Sequence, residues 1–188
     1  MARPKSEDKR SAIMAAATRA IVEHGLSAPT AAIAKAAGIS NGSLFTYFET
    51  KAELFNQLYF ELKSDMGAAA FDGVLGAGPL QNQFMCLWSN WMQWAVTAPE
   101  KRRAIALLHV SDDITPETRR ALHNELAPIA TLFEQARAKG PMKNVSLAYV
   151  GEMVSALAET TMDFILQDPK NADTHRQAGF EAVWRMLK

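Results

Sequence analysis

Along this chain apolar side chains recur three and four positions apart from one end to the other, and no run alternates apolar with polar residues between turn signals. A strand needs that alternation to bury one face, so the pattern predicts an all-α protein. The spacing and the stop signals outline about nine helices. The first runs from about Glu7 to His24, with Ser6 as cap and Gly25 as stop, and carries Ile13, Ala16, Ala17, Ala20 and Ile21 on one stripe. Two very short helices follow, one opening after Thr30 as cap and closing at Gly38, the other running from Ser40 to about Phe48. Thr50-Lys51-Ala52-Glu53 is a capping box, in which the threonine hydroxyl and the glutamate each satisfy a backbone N–H, and it opens a fourth helix that reaches about Met66. Further helices are predicted between Pro79 and Ala98, then at about 100–110, 116–139, 145–167 and 172–187. Thr115-Pro116-Glu117 is a start signal, and Pro128 should kink or split the helix it falls in.

With 188 residues, 48% of them hydrophobic and 21% charged, the chain can bury one good core or two small ones. Cys86 is the only cysteine, which excludes an internal disulfide and reads as a small buried hydrophobe. The charged N-terminus MARPKSEDKRS lacks the apolar core of a signal peptide, so a cytoplasmic location is expected. Residues 73–99 contain no charged side chain, but Gln81, Asn82, Gln83, Ser89, Asn90 and Gln93 interrupt the run. It therefore reads as a helix buried among helices and not as a membrane span.

The four histidines show neither paired spacing nor a nearby cysteine, so no metal site is expected and no cofactor is called for. Asp112-Asp113 fits a turn before a helix better than a catalytic pair, and there is neither a phosphate-binding glycine loop nor a nucleophile elbow. No residue is a catalytic candidate, and the chain does not read as an enzyme. Net charge is zero overall, yet residues 1–51 hold seven basic against four acidic side chains, an excess that fits a polyanion partner.

That excess surrounds the most informative stretch, AKAAGISNGSLFTYFETKAEL from Ala34 to Leu54. Two short helices joined through Gly38-Ile39-Ser40 have the form of a helix-turn-helix, whose tight turn needs a residue at ease with positive φ. Ile33, Ala37, Ile39, Leu44 and Phe48 can form a small core with the first helix. Phe45 either packs there or faces outward, and Tyr47 has a hydroxyl that needs water or a phosphate. Asn41, Ser43 and Thr46 are then short polar groups suited to base edges in a major groove.

The stretch IAKAAGISNGSLFTYFETKAEL resembles the DNA-binding signature of the TetR family of bacterial transcriptional regulators, specifically over about residues 8–56. The resemblance implies a DNA-binding domain at residues 1–50 and a helical effector-binding and dimerisation domain at 51–188. It also implies DNA contacts, mostly to phosphate, from Thr30, Ser40, Asn41, Gly42, Ser43, Phe45, Thr46, Tyr47 and Lys51. Three positions depart from the family: Phe45 replaces a common tyrosine, and Ala31 and Ala32 stand where charged or polar residues are frequent. The implied function is a ligand-responsive regulator, a repressor that binds a palindromic double-stranded DNA operator as a homodimer and is released by a small molecule.

By default the aromatic and methionine side chains of residues 80–98 are core. The resemblance implies that Phe84, Met85, Trp88, Trp91 and Met92 also line an effector pocket, with His109, Gln83, Asn90 and Gln93 as polar anchors. The helix carries no charge, so its ligand should be largely apolar. Residues 145–167 present Gly151, Ser155, Ala158 and Met162 on one side and Leu147, Val150, Val154, Leu157 and Phe164 on another, which calls for two partners. Together with Phe180 and Trp184, the small-residue side is the expected homodimer interface. A competing reading is an all-α small-molecule-binding or scaffolding protein whose helix-turn-helix has no affinity for DNA.

Overall fold

A computed structural model describes residues 5–188, leaving aside the side chains of Lys5 and Ser6; the backbone of Ser6 already lies inside the first helix, so Ser6 is not its cap. Ten α-helices occur among the described residues: α1 (Lys5–His24), α2 (Thr30–Ala36), α3 (Asn41–Leu44), α4 (Lys51–Phe71), α5 (Leu80–Thr97), α6 (Pro99–His109), α7 (Pro116–Glu125), α8 (Ala127–Arg137), α9 (Leu147–Gln167) and α10 (Ala172–Leu187). The fold is all-α. One helix more than expected arises at Pro128, where the long seventh segment divides at Leu126 into α7 and α8 because proline has no N–H to continue the ladder.

Local chemistry explains most of the ends. Glu53 N–H donates to Thr50 Oγ1 (3.0 Å), while the Glu53 carboxylate accepts from Glu49 N–H (2.6 Å), so the box at the start of α4 closes one residue further out than the usual pattern. Thr115 caps α7 by accepting from Thr118 N–H (3.2 Å). Glu117, in the first turn of α7, lies below the ordinary carboxylate range, held there first by its own backbone N–H and then by Arg120. Two expectations are corrected. Thr30 is the first residue of α2 and not its cap, since the carbonyl of Pro29 already accepts from Ala32 N–H (3.0 Å) and Ile33 N–H (3.2 Å). The third helix ends at Leu44 rather than near Phe48: beyond it the chain closes three-residue turns, and the Thr46 hydroxyl donates to the Ser43 carbonyl (2.7 Å), competing with the next helical bond.

The chain forms two compact units, residues 1–63 with 99–123, and residues 64–98 with 124–188. In the first, Ile13, Ala16, Ala17, Ala20 and Ile21 of α1 are buried with Ile33, Leu44, Phe48, Leu54, Phe55 and Leu58, as the stripe on α1 predicts. Ala37 and Ile39 are half-buried at its edge. In the second, α5 supplies Phe84, Leu87, Trp88, Met92 and Trp94, with α9 and α10 packed around it. Phe84 meets Phe133 edge-on at 4.9 Å between centroids, and the buried indole N–H of Trp88 donates to the Arg176 carbonyl (2.9 Å). α10 comes close to α5 at Gly179, where an added Cβ would lie 2.8 Å from the Trp88 ring. Arg137, almost fully buried, holds the α8–α9 corner by donating to the Met142 and Val145 carbonyls while paired with Glu134. No helix among the described residues is long and apolar enough to cross a membrane.

Candidate functional site

The helix-turn-helix is built by a C-terminal cap on α2. Gly38 takes φ +70°, its N–H donates to the Lys35 carbonyl (3.1 Å), and Ile39 N–H reaches back to the Ala34 carbonyl (3.0 Å). Both bonds of a Schellman motif are present, so the chain turns at a defined angle before α3 begins. Ser40 caps α3: its hydroxyl accepts from Ser43 N–H (3.1 Å) and lies 2.8 Å from the Ser43 hydroxyl. Below α3, Leu44 and Phe48 are wholly buried, with the Arg10 guanidinium 5.7 Å from the Phe48 ring centroid.

Among the expected DNA contacts, Ser40, Asn41, Gly42, Phe45 and Thr46 are exposed, and Thr30, Ser43, Tyr47 and Lys51 are half-buried. Phe45 is 40% exposed, a large apolar ring on an otherwise polar face. One feature of the face is not legible from its motif. The Lys51 ammonium donates to the Leu26 carbonyl (2.7 Å) and lies 5.1 Å from the Phe55 ring centroid, so this cation also ties the start of α4 to the turn after α1.

The aromatic helix α5 is more thoroughly packed than its sequence suggests. Phe84, Trp88 and Met92 are wholly buried, and Met85 and Trp91 keep partial exposure. The amides expected as ligand anchors serve the fold: Gln83 donates to the Gly78 carbonyl (2.7 Å), and Asn90 to the Asp72 carbonyl (2.8 Å). His109 belongs to the other compact unit, where its Nδ1 lies 2.9 Å from the Tyr59 hydroxyl. Cys86 is half-buried rather than buried, with Asn90 Nδ2 3.7 Å from its sulfur. Met85 borders a groove of about 340 Å³ that is also lined by Phe180 and Trp184, the two α10 residues expected at a dimer interface.

The small-residue side of α9 requires a correction. Ala158 and Met162 are wholly buried within the protomer, together with Val150, Val154 and Ile165, so members of both sides recognised in the sequence lie in the chain's own core. Phe180 is nearly buried as well, while Gly151, Ser155 and Trp184 retain surface. What α9 exposes is a ridge with Tyr149 58% accessible and Phe164, from the larger apolar side, 51% accessible, and Met153, Ala156 and Thr160 between them. The spacing 149, 153, 156, 160, 164 follows the helical period and is visible in the sequence.

Among the described residues no group of three or more His, Cys, Asp or Glu side chains could hold a metal ion. Glu134 and Arg137 form a charge-perturbed pair at the α8–α9 corner. Hydrogen bonds from Arg137 hold the carboxyl below its usual range, and the same pairing raises the guanidinium.

A family model described as bacterial regulatory proteins of the tetR family matches residues 13–58. The chain is 34% identical over 70 residues to YhgD of Bacillus subtilis (strain 168), an uncharacterized HTH-type transcriptional regulator, and that match spans 37% of each protein. Its fold is similar to that of a tetR family transcription regulator structure from Shewanella sp. PV-4, at a TM-score of 0.84 and 26% identity, covering 94% of this chain and 96% of the other. A TetR family transcription regulator from Marinobacter aquaeolei VT8 superposes with a TM-score of 0.87 at 24% identity, covering 99% and 98% of the two chains.

Proposed function

We propose that the chain, whose residues 13–58 match the model of the tetR family of bacterial regulatory proteins and whose fold is similar to that of a tetR family regulator, is a repressor that binds a palindromic operator as a homodimer and releases it when a small, largely apolar effector binds. The observation that carries this reading is the exposed polar surface made by α3 and the turn after it, with Asn41 and Gly42 outward on the helix and Thr46 on the turn, behind the bend fixed by Gly38. Nothing in the folding of the first unit needs those residues outward. Asn41 and Thr46 are suited to base edges, and Tyr47, Thr30 and Lys51 to backbone phosphates, which fix register without reading sequence. Phe45 contributes apolar contact, to a thymine methyl or a sugar, in place of a phosphate hydrogen bond.

In this reading residues 1–50 are the DNA-binding domain and 51–188 the effector-binding and dimerisation domain. A two-fold dimer suits half-sites spaced by one helical turn. Its interface is the exposed ridge of α9, Tyr149 to Phe164, with Gly151, Ser155 and Trp184 at its margins. The effector contacts Met85 and Trp91, the members of the α5 set that keep surface. No cationic or acidic side chain stands on α5, which favours a ligand with few charges. The test is titration of labelled duplex from the region upstream of the protein's own gene, in the presence of competitor DNA and at several salt concentrations. Binding that resists competitor and weakens with salt supports the proposal. Its absence from a folded dimer favours a small-molecule-binding or scaffolding protein.

A further inference from the structure

We propose that Asn41 is the residue by which this chain specifies its operator, and that the base it reads is an adenine in the major groove of each half-site. The inference rests on the proposed function as a DNA-binding regulator and names what that surface reads. Asn41 is the first residue of α3 and is exposed. An asparagine beside a helix start commonly turns its side chain back onto the backbone. Here that role is taken: the Ser40 hydroxyl accepts from Ser43 N–H (3.1 Å), and among the described residues no group bonds to the Asn41 carboxamide. Its N–H donors and its carbonyl oxygen therefore stand at the surface with no use in the fold.

The neighbouring hydroxyls are already engaged. Ser40 and Ser43 lie 2.8 Å apart with a proton between them, and Thr46 spends its only proton on the Ser43 carbonyl (2.7 Å). Thr46 keeps acceptor lone pairs alone, so toward DNA it accepts from the amino group of adenine or of cytosine and does not separate the two. A carboxamide offers a donor and an acceptor side by side. In the major groove adenine presents its N7 acceptor beside its N6 amino donor, guanine presents two acceptors, cytosine a donor, and thymine an acceptor with a methyl group. Adenine alone engages both ends of Asn41. Two neighbours sharpen the choice. Gly42 leaves the surface beside Asn41 open, since an added Cβ would meet only Ser40 Oγ, at 3.9 Å. Phe45, exposed and still in helical conformation (φ −73°, ψ −4°), lies one turn along on the same side as Asn41. Its ring displaces water from the strip that Asn41 faces, and a base that does not match the carboxamide is left there with unsatisfied polar groups.

The experiment takes the full-length protein and duplex DNA from upstream of its gene, locates the bound segment by footprinting, and replaces its adenines one at a time by 7-deazaadenine. That analogue keeps the base pair and the amino group and removes the N7 acceptor. One adenine in each half-site should prove sensitive, its replacement weakening wild-type binding by about 5- to 150-fold, the range for a bidentate base contact. Asn41→Ala should keep the wild-type Tm, because the carboxamide bonds to nothing in the protein, and the wild-type salt slope, because no phosphate contact is lost. It should bind the unmodified duplex about 5- to 150-fold more weakly and be indifferent to 7-deazaadenine at the sensitive position. The inference is overturned, and the DNA-binding reading left standing, if no adenine of the footprint is sensitive or if the sensitive adenine remains so in Asn41→Ala. It is overturned equally by an Asn41→Ala protein whose salt slope falls by about one unit with base preference intact, which would make Asn41 a phosphate contact. A folded wild type that does not bind the duplex overturns that reading, and the inference with it.

Discussion

Adding one methyl group to each of two α-helical glycines should move stability in opposite directions. At Gly179 an alanine Cβ would stand 2.5 Å from Thr161 Oγ1 and 2.8 Å from Trp88 Cζ2. Neither neighbour can step aside cheaply. The Thr161 hydroxyl donates to the Leu157 carbonyl (2.7 Å), and the wholly buried Trp88 ring is pinned by its bond to the Arg176 carbonyl (2.9 Å). Overpacking of this kind costs about 1–3 kcal/mol, and two pinned neighbours place it at the upper end. Alanine's helical preference over glycine offsets about 1 kcal/mol. The net loss is about 1–2 kcal/mol, which for a chain of this size lowers Tm by about 2–8 °C. At Gly151, with no atom of the protomer within 4 Å of the added Cβ, the helical preference is the effect acting within the protomer, and Tm should rise by about 2–4 °C. Circular-dichroism melts at one fixed protein concentration measure both, since the Tm of a dimer depends on concentration. A Gly179→Ala protein that melts at or above the wild-type temperature would refute the close approach of α10 to α5 and α9.

Lys51→Ala should weaken binding to all DNA sequences alike and lower the salt slope by about one unit, and it should also cost about 1 kcal/mol of stability from the lost bond to the Leu26 carbonyl; anisotropy titrations and denaturant melts read the two effects separately. Tyr149→Arg with Phe164→Arg should give a folded monomer in size-exclusion with light scattering, because both rings lie exposed on the protomer; an unchanged dimer would put the interface elsewhere. Glu134 is held below its usual value of 4.5 by Arg137, so its contribution is fully present above that value and is lost as pH falls through the lowered one. Protection of residues 138–146 against hydrogen exchange, taken relative to the intrinsic rate at each pH, should accordingly fall with acid in the wild type and lose this pH dependence in Glu134→Gln.

The parts of the fold written in short-range chemistry were legible in the sequence. The turn at Gly38, the capping box at Thr50 and Glu53, the cap at Thr115 and the break near Pro128 each depend on residues within one helical turn, and the structure has all four. The stripe on α1 was equally clear, since apolar spacing is itself the cause of burial. Long-range partners were not legible. Nothing near Lys51 announces a carbonyl 25 residues earlier, and nothing near Asn56 announces the bonds its side chain accepts from Thr115 N–H and the Thr118 hydroxyl. The two sides of α9 show a different limit: spacing reveals that a face is apolar or small, but not whether it meets the same chain or a second one. Ala158 and Met162 turned out to be core for that reason, and the exposed Tyr149 to Phe164 ridge was passed over. On α5 the aromatic residues were read as core by default and as a pocket by resemblance; the default describes Phe84, Trp88 and Met92, whose area is spent inside the protomer.

The most direct test of the account is the affinity and sequence preference of the wild type and Thr46→Ala for duplexes from upstream of the gene, measured by anisotropy across a salt series. Thr46 is exposed on the turn that follows α3, and its hydroxyl donates to the Ser43 carbonyl of the same turn, so the substitution leaves the core intact. The account predicts wild-type binding at about 10⁻⁸ to 10⁻¹¹ M near physiological salt, a linear fall of log K with log salt, and a changed base preference in Thr46→Ala with its salt slope unaltered. Wild-type binding no tighter than the non-specific level of about 10⁻⁴ to 10⁻⁶ M, or a Thr46→Ala protein with the same base preference as the wild type, would contradict the claim that this face of α3 reads DNA.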